Sequence, residues 1–298
     1  MDKLIHATAA DGTVRIIAGV TTGIVEEAVR RHGTSPTVSA AFGRMLTGAL
    51  LLASTIKDFD RLTLKIESDG PVKGITAEAS SEGTVRGFVK NAIAEPPAKQ
   101  NGKFDVSHIV GNGTFYVIRE AGFELGFRPE PYIGSVPIVS GEIAEDLAYY
   151  LAKSEQIPSG VMLGVLLSNS EPYVTASGGL LVQMMPGADE NVIGEIEQTM
   201  ARAPHVTEKI VGGATPEDMA RMALGDLDLE ILEEREIAFR CTCSTEKAIA
   251  MIAALGEEEI RSMIRDDKGA VVTCGFCNET YSLSEEDLLD MLTPADGR

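Results

Sequence analysis

Four cysteines, the only ones in the chain, lie in two close pairs near the end of the sequence. Cys241 pairs with Cys243 and Cys274 with Cys277, which gives C-x-C followed after a long spacer by C-x-x-C. A tetrahedral zinc site needs such pairs, because each short segment delivers two sulfur ligands to one side of the ion. Gly275, inside the second pair, is expected to adopt a positive φ in a tight turn. The array therefore predicts one zinc ion per chain, held by four thiolates in the reduced state.

Three other interpretations of the cysteines remain open. Buried, reduced thiols behave as small apolar side chains, although chance would seldom place all four in two close pairs. The C-x-x-C motif is also that of thiol–disulfide oxidoreductases, but nothing before Cys274 suggests their strand–helix setting. The array also fits a purely structural zinc module on a protein-interaction domain. A turnover assay and a comparison of reduced with oxidised protein separate these alternatives.

The sequence holds no motif of a common catalytic site. It contains no P-loop, no G-x-S-x-G, no glycine-rich dinucleotide motif opening a helix and no H-E-x-x-H. We therefore predict that the protein is not an enzyme. The histidines are scattered and none is close to the cysteines in sequence, so we expect a site of four cysteines and no histidine. They are His6, His32, His108 and His205.

Composition restricts the partners of the chain. Of its 298 residues, 44% are hydrophobic and 24% are charged, as in soluble globular proteins. The formal net charge of -19 argues against nucleic acid as a partner, because affinity for phosphate comes from clustered Lys and Arg. The first twelve residues are too polar for a signal peptide. We therefore expect a cytoplasmic protein, in which paired cysteines are more often metal-binding or redox-active than structural disulfides.

One apolar stretch, residues 38–56, reaches the length of a membrane-spanning helix. It contains Arg44, whose charge is costly in lipid, and its flanks carry no aromatic anchors. Pro36 is suited to the first turn of a helix. We therefore predict a buried core helix and no membrane partner.

Residues 1–187 are predicted to form a mixed α/β domain with antiparallel sheets, within an α+β fold. Between residues 61 and 128, short alternating segments are separated by turn residues, as in antiparallel sheets. Gly111-Asn112-Gly113 lies between residues 107–110 and 114–118, which are rich in apolar and β-branched side chains. This arrangement predicts a β-hairpin.

Residues 188–235 are predicted to be a helical or extended linker. Thr215 followed by Pro216 is typical of a helix start with proline at the first helical position. Residues 226–236 combine apolar side chains, which need a partner surface, with crowded carboxylates that repel one another. Both a solvated amphipathic linker and a marginally stable switching element fit this segment, and the sequence alone does not decide between them.

Residues 236–298 are predicted to form a small zinc-binding domain. Ser244 is expected to cap one helix, and Ser284 with the acidic residues after it to cap another. The segment has few large apolar side chains and therefore a thin core. The metal must then contribute much of the folding free energy of the domain. Removal of the metal is predicted to unfold the domain.

The chain resembles the thirty-three-kilodalton chaperonin family, the redox-regulated holdase chaperones of bacteria. The C-x-C…C-x-x-C array is the hallmark of that family, and residues 140–151, 154–158 and 178–187 also match it. The resemblance covers the whole chain and shows no departure at the cysteines. It implies a mixed α/β amino-terminal domain, a metastable linker and a small zinc domain. The zinc thiolates of the family carry over to Cys241, Cys243, Cys274 and Cys277.

The resemblance also implies a function. The reduced, zinc-bound form is inactive, and disulfide formation, zinc release and linker unfolding activate an ATP-independent chaperone. The active form binds unfolding client proteins and prevents their aggregation under oxidative stress. We expect it to form a homodimer through newly exposed apolar surface.

The resemblance implies the disulfides Cys241–Cys243 and Cys274–Cys277. Geometry alone does not choose partners, because the four sulfurs of a tetrahedral site are mutual neighbours. In a domain that has lost its metal and opened, loop-closure entropy also favours sequence neighbours.

Overall fold

The structure, a computed structural model, describes residues 2–56, 61–96, 104–121 and 130–292. Contacts within the chain divide it into two compact units, Met1–Arg240 and Cys241–Arg298. The predicted linker, residues 188–235, belongs by its contacts to the first unit. Helices and a strand make up much of this segment.

Both units combine helices with strands. The strands of the first unit are β1 (Lys3–Ala9), β2 (Val14–Val20), β3 (Arg61–Ser68), β4 (Gly74–Ser80), β5 (Thr84–Val89), β6 (Gly113–Glu120), β7 (Tyr132–Pro137), β8 (Ser159–Leu167), β9 (Val174–Met184), β10 (Leu229–Glu236) and β11 (Ala238–Phe239). Its helices are α1 (Thr22–His32), α2 (Pro36–Ala53), α3 (Val106–Val110), α4 (Ala144–Lys153), α5 (Glu190–Arg202), α6 (Val206–Val211) and α7 (Pro216–Leu224). The second unit contains α8 (Thr245–Ala253), α9 (Glu257–Asp266), β12 (Gly269–Thr273), β13 (Thr280–Ser284) and α10 (Glu285–Leu292).

The first unit is built on two sheets. A five-stranded sheet has the order β10-β1-β2-β9-β8, and each neighbouring pair is antiparallel. A six-stranded sheet has the order β11-β5-β4-β3-β6-β7 and is antiparallel except where the short β11 joins β5 in parallel. The predicted α+β fold with antiparallel sheets is therefore confirmed.

Helix α2 is the core of the first unit, as predicted. It contacts β3, β4 and β5 of one sheet and β8 and β9 of the other. Its composition and length would permit a membrane span, but 89% of the apolar window is buried within the protein. Gly43 permits close packing, since a Cβ there would lie 2.6 Å from a methyl of Val25 and 2.7 Å from one of Val165. The one charged side chain of the helix, Arg44, forms an ion pair of 2.6 Å with Glu142.

The predicted hairpin around residues 111–113 is wrong. Residues 107–110 belong to helix α3, and β6 pairs with β3 and β7 instead. The side chain of Asp105 caps this helix by accepting the N–H of His108. The carboxylate of Asp69 accepts the N–H of Asn112 at 2.7 Å and so fixes the turn after the helix from another part of the chain. Local caps and this tertiary contact outweigh the β-branched composition.

The three helices α5–α7 lie over one face of the five-stranded sheet, and we call them the helical cover. Apolar side chains of the helices and the sheet form a single buried cluster. Those of the sheet are Ile5, Ala7, Ala9, Val14, Ile16, Ala18, Leu180 and Val182, and those of the helices are Ile196, Val206, Met219, Ala220, Ala223 and Leu224. The expected start of α7 is confirmed, because Thr215 and Asp218 cap it reciprocally and Pro216 occupies the first turn.

Strand β10 contains most of the acidic segment 226–236 and forms the outer edge of the five-stranded sheet. It pairs with β1, and Lys3 forms an ion pair of 2.5 Å with Glu234. Most side chains of the strand are exposed, among them Ile231 and Leu232. The segment is thus an ordered but solvated edge strand.

The second unit has a thin core, as predicted. Its apolar cluster contains only four buried side chains within the described residues, which are Ile252, Ile260, Leu283 and Leu288. Both expected caps are present: Ser244 accepts the N–H of Lys247, and Ser284 exchanges hydrogen bonds with Asp287. A core of this size leaves the unit dependent on further stabilisation.

Candidate metal centre

The four cysteines lie on two short segments of the second unit. Cys241 and Cys243 lie outside helix and strand, just before Ser244, which caps helix α8. Cys274 and Cys277 form the tip of the antiparallel β12–β13 hairpin, whose last pair is Thr273 with Thr280. The segment before α8 and the tip of the hairpin thus present two sulfurs each.

None of the four cysteines forms a disulfide, and their sulfurs form a compact group. The Sγ–Sγ distance is 3.7 Å between Cys241 and Cys274 and 3.4 Å between Cys243 and Cys277. All four sulfurs lie within 4.8 Å of one another. A zinc–sulfur distance of about 2.3 Å in a regular tetrahedron places the sulfurs about 3.8 Å apart. The donor set and its spacing therefore fit a tetrahedral metal ion, and no histidine joins the group among the described residues.

The backbone of the C-x-x-C turn differs from the expectation for Gly275. The residue with positive φ is Asn278, at 57°, and not Gly275. The N–H of Asn278 and the N–H of Cys277 both donate to the carbonyl of Cys274, at 2.8 and 3.4 Å. Asparagine is among the residues that adopt this conformation most readily. The turn therefore closes after the second cysteine of the pair.

Two glycine substitutions test this geometry. A Cβ at Gly275 would meet nothing within 4 Å, so Gly275→Ala is expected to leave metal content and stability almost unchanged. A Cβ at Gly269 would lie 2.7 Å from the backbone oxygen of Leu283, so Gly269→Ala should destabilise the hairpin by about 1–3 kcal/mol. Thermal unfolding of the second unit measures both. Equal losses in the two variants would contradict the turn geometry.

Burial makes ionisation of these thiols unfavourable without a cation. It raises the pKa of Cys243 and Cys277, and Cys277 is only 3% exposed. A bound metal ion reverses this preference, because its charge stabilises the thiolates. Four thiolates are therefore more stable at this site with a bound cation than without one.

A fifth residue, Tyr281, contacts the cysteine cluster, and the sequence analysis missed it. Its hydroxyl donates a hydrogen bond of 3.0 Å to the Sγ of Cys243. This bond, with the nearby sulfurs, raises the pKa of the phenol. The available signal was the alternation in β13, where Tyr281 and the buried Leu283 are two residues apart and so lie on one face of the strand.

Comparison with known proteins agrees with this arrangement. The family model described as "Hsp33 protein" matches residues 2–284. A 33 kDa chaperonin of Shouchella clausii is 43% identical over 100% of this chain and 99% of its own length. That of Listeria innocua is 44% identical over 96% of this chain and 97% of its own.

A solved structure is similar over nearly the same extent. The crystal structure of the 33 kDa chaperonin from Thermotoga maritima superposes with a TM-score of 0.87 at 36% identity, and the match covers 97% of each chain. Family model, relatives and structure all extend across both units, including the segment that contains the four cysteines. The chain therefore belongs to the Hsp33 family.

Proposed function

We propose that this protein is a redox-regulated, ATP-independent chaperone that binds unfolding proteins and prevents their aggregation under oxidative stress. The names of its relatives support the chaperone function. The observation that carries the regulation is the placement of four cysteine sulfurs, none of them in a disulfide, within 4.8 Å of one another in a unit with a very small core. In such a unit, the state of the sulfurs decides whether the unit folds.

Zinc is the metal that four cysteines suit best, because thiolate ligands in a tetrahedron are typical of structural zinc sites. When bound, zinc would keep the sulfurs as thiolates and contribute much of the folding free energy of the second unit. We assign one ion per chain to Cys241, Cys243, Cys274 and Cys277. Thiolates are also the form of cysteine that peroxide attacks, so the same residues serve as ligands and as sensors.

Oxidation proceeds in two steps. One thiolate takes an oxygen atom from peroxide to become a sulfenic acid, and hydroxide leaves. A second thiolate then attacks that sulfur, the S–S bond forms and a second hydroxide leaves, so two electrons pass from two cysteines to one peroxide. Disulfide sulfurs are poor ligands, so the second unit loses the stabilisation that it needs.

The pairing we propose is Cys241–Cys243 and Cys274–Cys277. The Sγ–Sγ contacts of 3.7 and 3.4 Å join Cys241 to Cys274 and Cys243 to Cys277, so each connects one cysteine segment to the other. Oxidation inside the folded site would therefore also permit cross-pairs. Once the unit opens, loop-closure entropy favours the sequence neighbours, so the pairing reports whether unfolding accompanies oxidation.

The helical cover is the element that we propose responds to this unfolding. Within the cover, helices α5 and α6 each bury only one side chain, Ile196 and Val206, whereas α7 buries five of its nine residues. Few buried contacts give α5 and α6 a low local free energy of opening, so we propose that these two helices open first. Strands β10 and β11 connect the cover to Cys241 in the chain. We propose that unfolding of the second unit loosens these strands and, through them, the cover.

Release of the cover would expose the apolar face of the five-stranded sheet, which includes Ile5, Ile16, Leu180 and Val182. Exposed apolar surface of this kind binds the apolar segments of unfolding clients without any nucleotide. It also allows two activated chains to associate as a homodimer, which makes activity depend on protein concentration. We propose no nucleic-acid or membrane partner, no enzymatic activity and a cytoplasmic location.

Light scattering from a heat-labile client enzyme tests the proposal. The reduced, metal-loaded protein is expected to leave client aggregation unchanged, and the peroxide-oxidised protein to suppress it. Disulfide mapping on the same sample should find Cys241–Cys243 and Cys274–Cys277, and metal analysis should show that the ion has left. Equal suppression by the two forms would contradict redox regulation, and mainly cross-pairs would contradict oxidation with unfolding.

A turnover assay with a small disulfide substrate serves as the control for oxidoreductase activity and should show none.

A further inference from the structure

The side chain of Tyr281 is a hydrogen-bond donor to one sulfur of the cluster. Its hydroxyl lies 3.0 Å from the Sγ of Cys243, which is 38 residues away in the sequence. Strand β13 fixes the position of this tyrosine, because Tyr281 pairs with Val272 and the next residue on the same face, Leu283, is anchored in the core of the unit. The contact is therefore a product of the fold and not of sequence proximity.

The hydrogen bond from Tyr281 to Cys243 differs in its donor from the hydrogen bond that Cys277 accepts. Cys277 accepts a backbone N–H, from Glu279, which no side-chain substitution removes. Cys243 accepts from a side chain, so one substitution removes the donor and leaves the backbone intact. A phenol with an ordinary pKa of about 10 is protonated at neutral pH and can donate.

A hydrogen bond changes the reactivity of a thiolate. The bond draws electron density away from the sulfur and so lowers its basicity and its nucleophilicity. A tenfold change in basicity changes nucleophilicity only about threefold at the usual Brønsted slope. The expected effect is therefore moderate, and it is confined to the sulfur that accepts the bond.

We propose that Tyr281 is a positioning residue of the metal centre, whose hydroxyl orients the Cys243 thiolate and lowers its reactivity towards electrophiles. This inference rests on the proposed metal site. Tyr281 then sets how readily one of the four sulfurs reacts, while the fold of the site stays the same. The rate at which the centre is oxidised is thus partly set by a residue that is not a ligand.

The test compares the full-length reduced chain with its Tyr281→Phe variant, both loaded with zinc. Brief alkylation by iodoacetamide, followed by peptide mapping, gives a separate rate for each cysteine. Tyr281→Phe is expected to raise the rate at Cys243 about threefold and to leave the other three rates unchanged. Thr280→Val is the matched control. It removes a hydroxyl from the same strand, and that hydroxyl contacts the hydroxyl of Thr273 rather than a cysteine.

A spectroscopic readout separates the hydrogen bond from a structural effect. In cobalt-substituted protein, the sulfur-to-cobalt charge-transfer band should move to lower energy in Tyr281→Phe, since a thiolate without the bond gives up an electron more easily. The ligand-field bands should keep their tetrahedral pattern.

Three outcomes would overturn the inference. An equal rise at all four cysteines would mean that Tyr281 only stabilises the fold. Unchanged rates and an unchanged charge-transfer band in a metal-loaded variant would contradict the role of Tyr281, while the proposed metal site would still stand. A reduced wild-type chain that binds no metal at its cysteines would contradict both this inference and the proposed metal site.

Discussion

The double variant Cys274→Ser and Cys277→Ser is expected to bind no zinc and to lose the folded structure of residues 241–292. Structural zinc contributes about 10–16 kcal/mol in small zinc-dependent peptides, whereas whole domains are stable by about 5–15 kcal/mol. The four buried side chains of the apolar cluster in the second unit cannot compensate for such a loss. Amide hydrogen exchange should find the second unit unprotected, while β2–β6 of the first unit stay protected.

The same experiment reports on the helical cover. If folding of the second unit holds the cover in place, residues 190–236 should also lose protection, and the variant should suppress client aggregation without any oxidant. Ser282→Ala is the control, because Ser282 is exposed on the same hairpin and is no ligand. Protected amides in helices α8–α10 of the metal-free variant would contradict the metal-dependent folding of the second unit. A protected cover beside an unfolded second unit would show that the cover does not respond to it.

Gly164→Ala is expected to loosen the helical cover while the metal centre stays intact. A Cβ at Gly164 would lie 2.7 Å from a methyl of Val206 and 2.8 Å from the methyl of Thr207, both in α6. Overpacking of this kind costs about 1–3 kcal/mol, and each 1.4 kcal/mol raises the open population about tenfold. The reduced variant should therefore exchange its α5–α7 amides faster and become active at a lower dose of oxidant, with unchanged zinc content.

Gly160→Ala is the matched control for this prediction. Gly160 lies on the same strand and face, but a Cβ there would meet only the flexible end of Met200, at 2.7 Å. Both substitutions reduce the entropy of the unfolded chain equally, so a difference between them reports the clash. If both variants behave like the wild type, the glycines of β8 do not limit the docking of the cover. A loss of zinc from Gly164→Ala would show that its effect is not local.

Local signals carried most of the successful predictions. The proline and threonine before α7 and the serine before α8 act through neighbours in the sequence, so they are readable without a structure. The cysteine array is equally local, since the two members of each pair are close in the sequence. The α+β class followed from hydrophobic periodicity, which the two sheets and helix α2 bear out.

Tertiary contacts explain the failures. The carboxylate of Asp69 holds Asn112 from 43 residues away, which the hairpin prediction could not include. Strand β1 was missed because Lys3 and His6 interrupt its apolar side chains, although one of its partners, β2, follows it closely in the sequence and only the other, β10, lies at the far end of the unit. Tyr281 reaches Cys243 across 38 residues. For the turn at Asn112 and for Tyr281, the missing information was a partner distant in the sequence.

The acidic edge strand β10 has a consequence for self-association. An edge strand offers unpaired N–H and C=O groups on which a strand of another chain can add. Four of the eight residues of β10 are glutamates, which are Glu230, Glu233, Glu234 and Glu236. Two copies that approach through this edge bring like charges together. Electrostatic repulsion therefore protects this edge of the sheet against edge-to-edge polymerisation, and added salt weakens that protection.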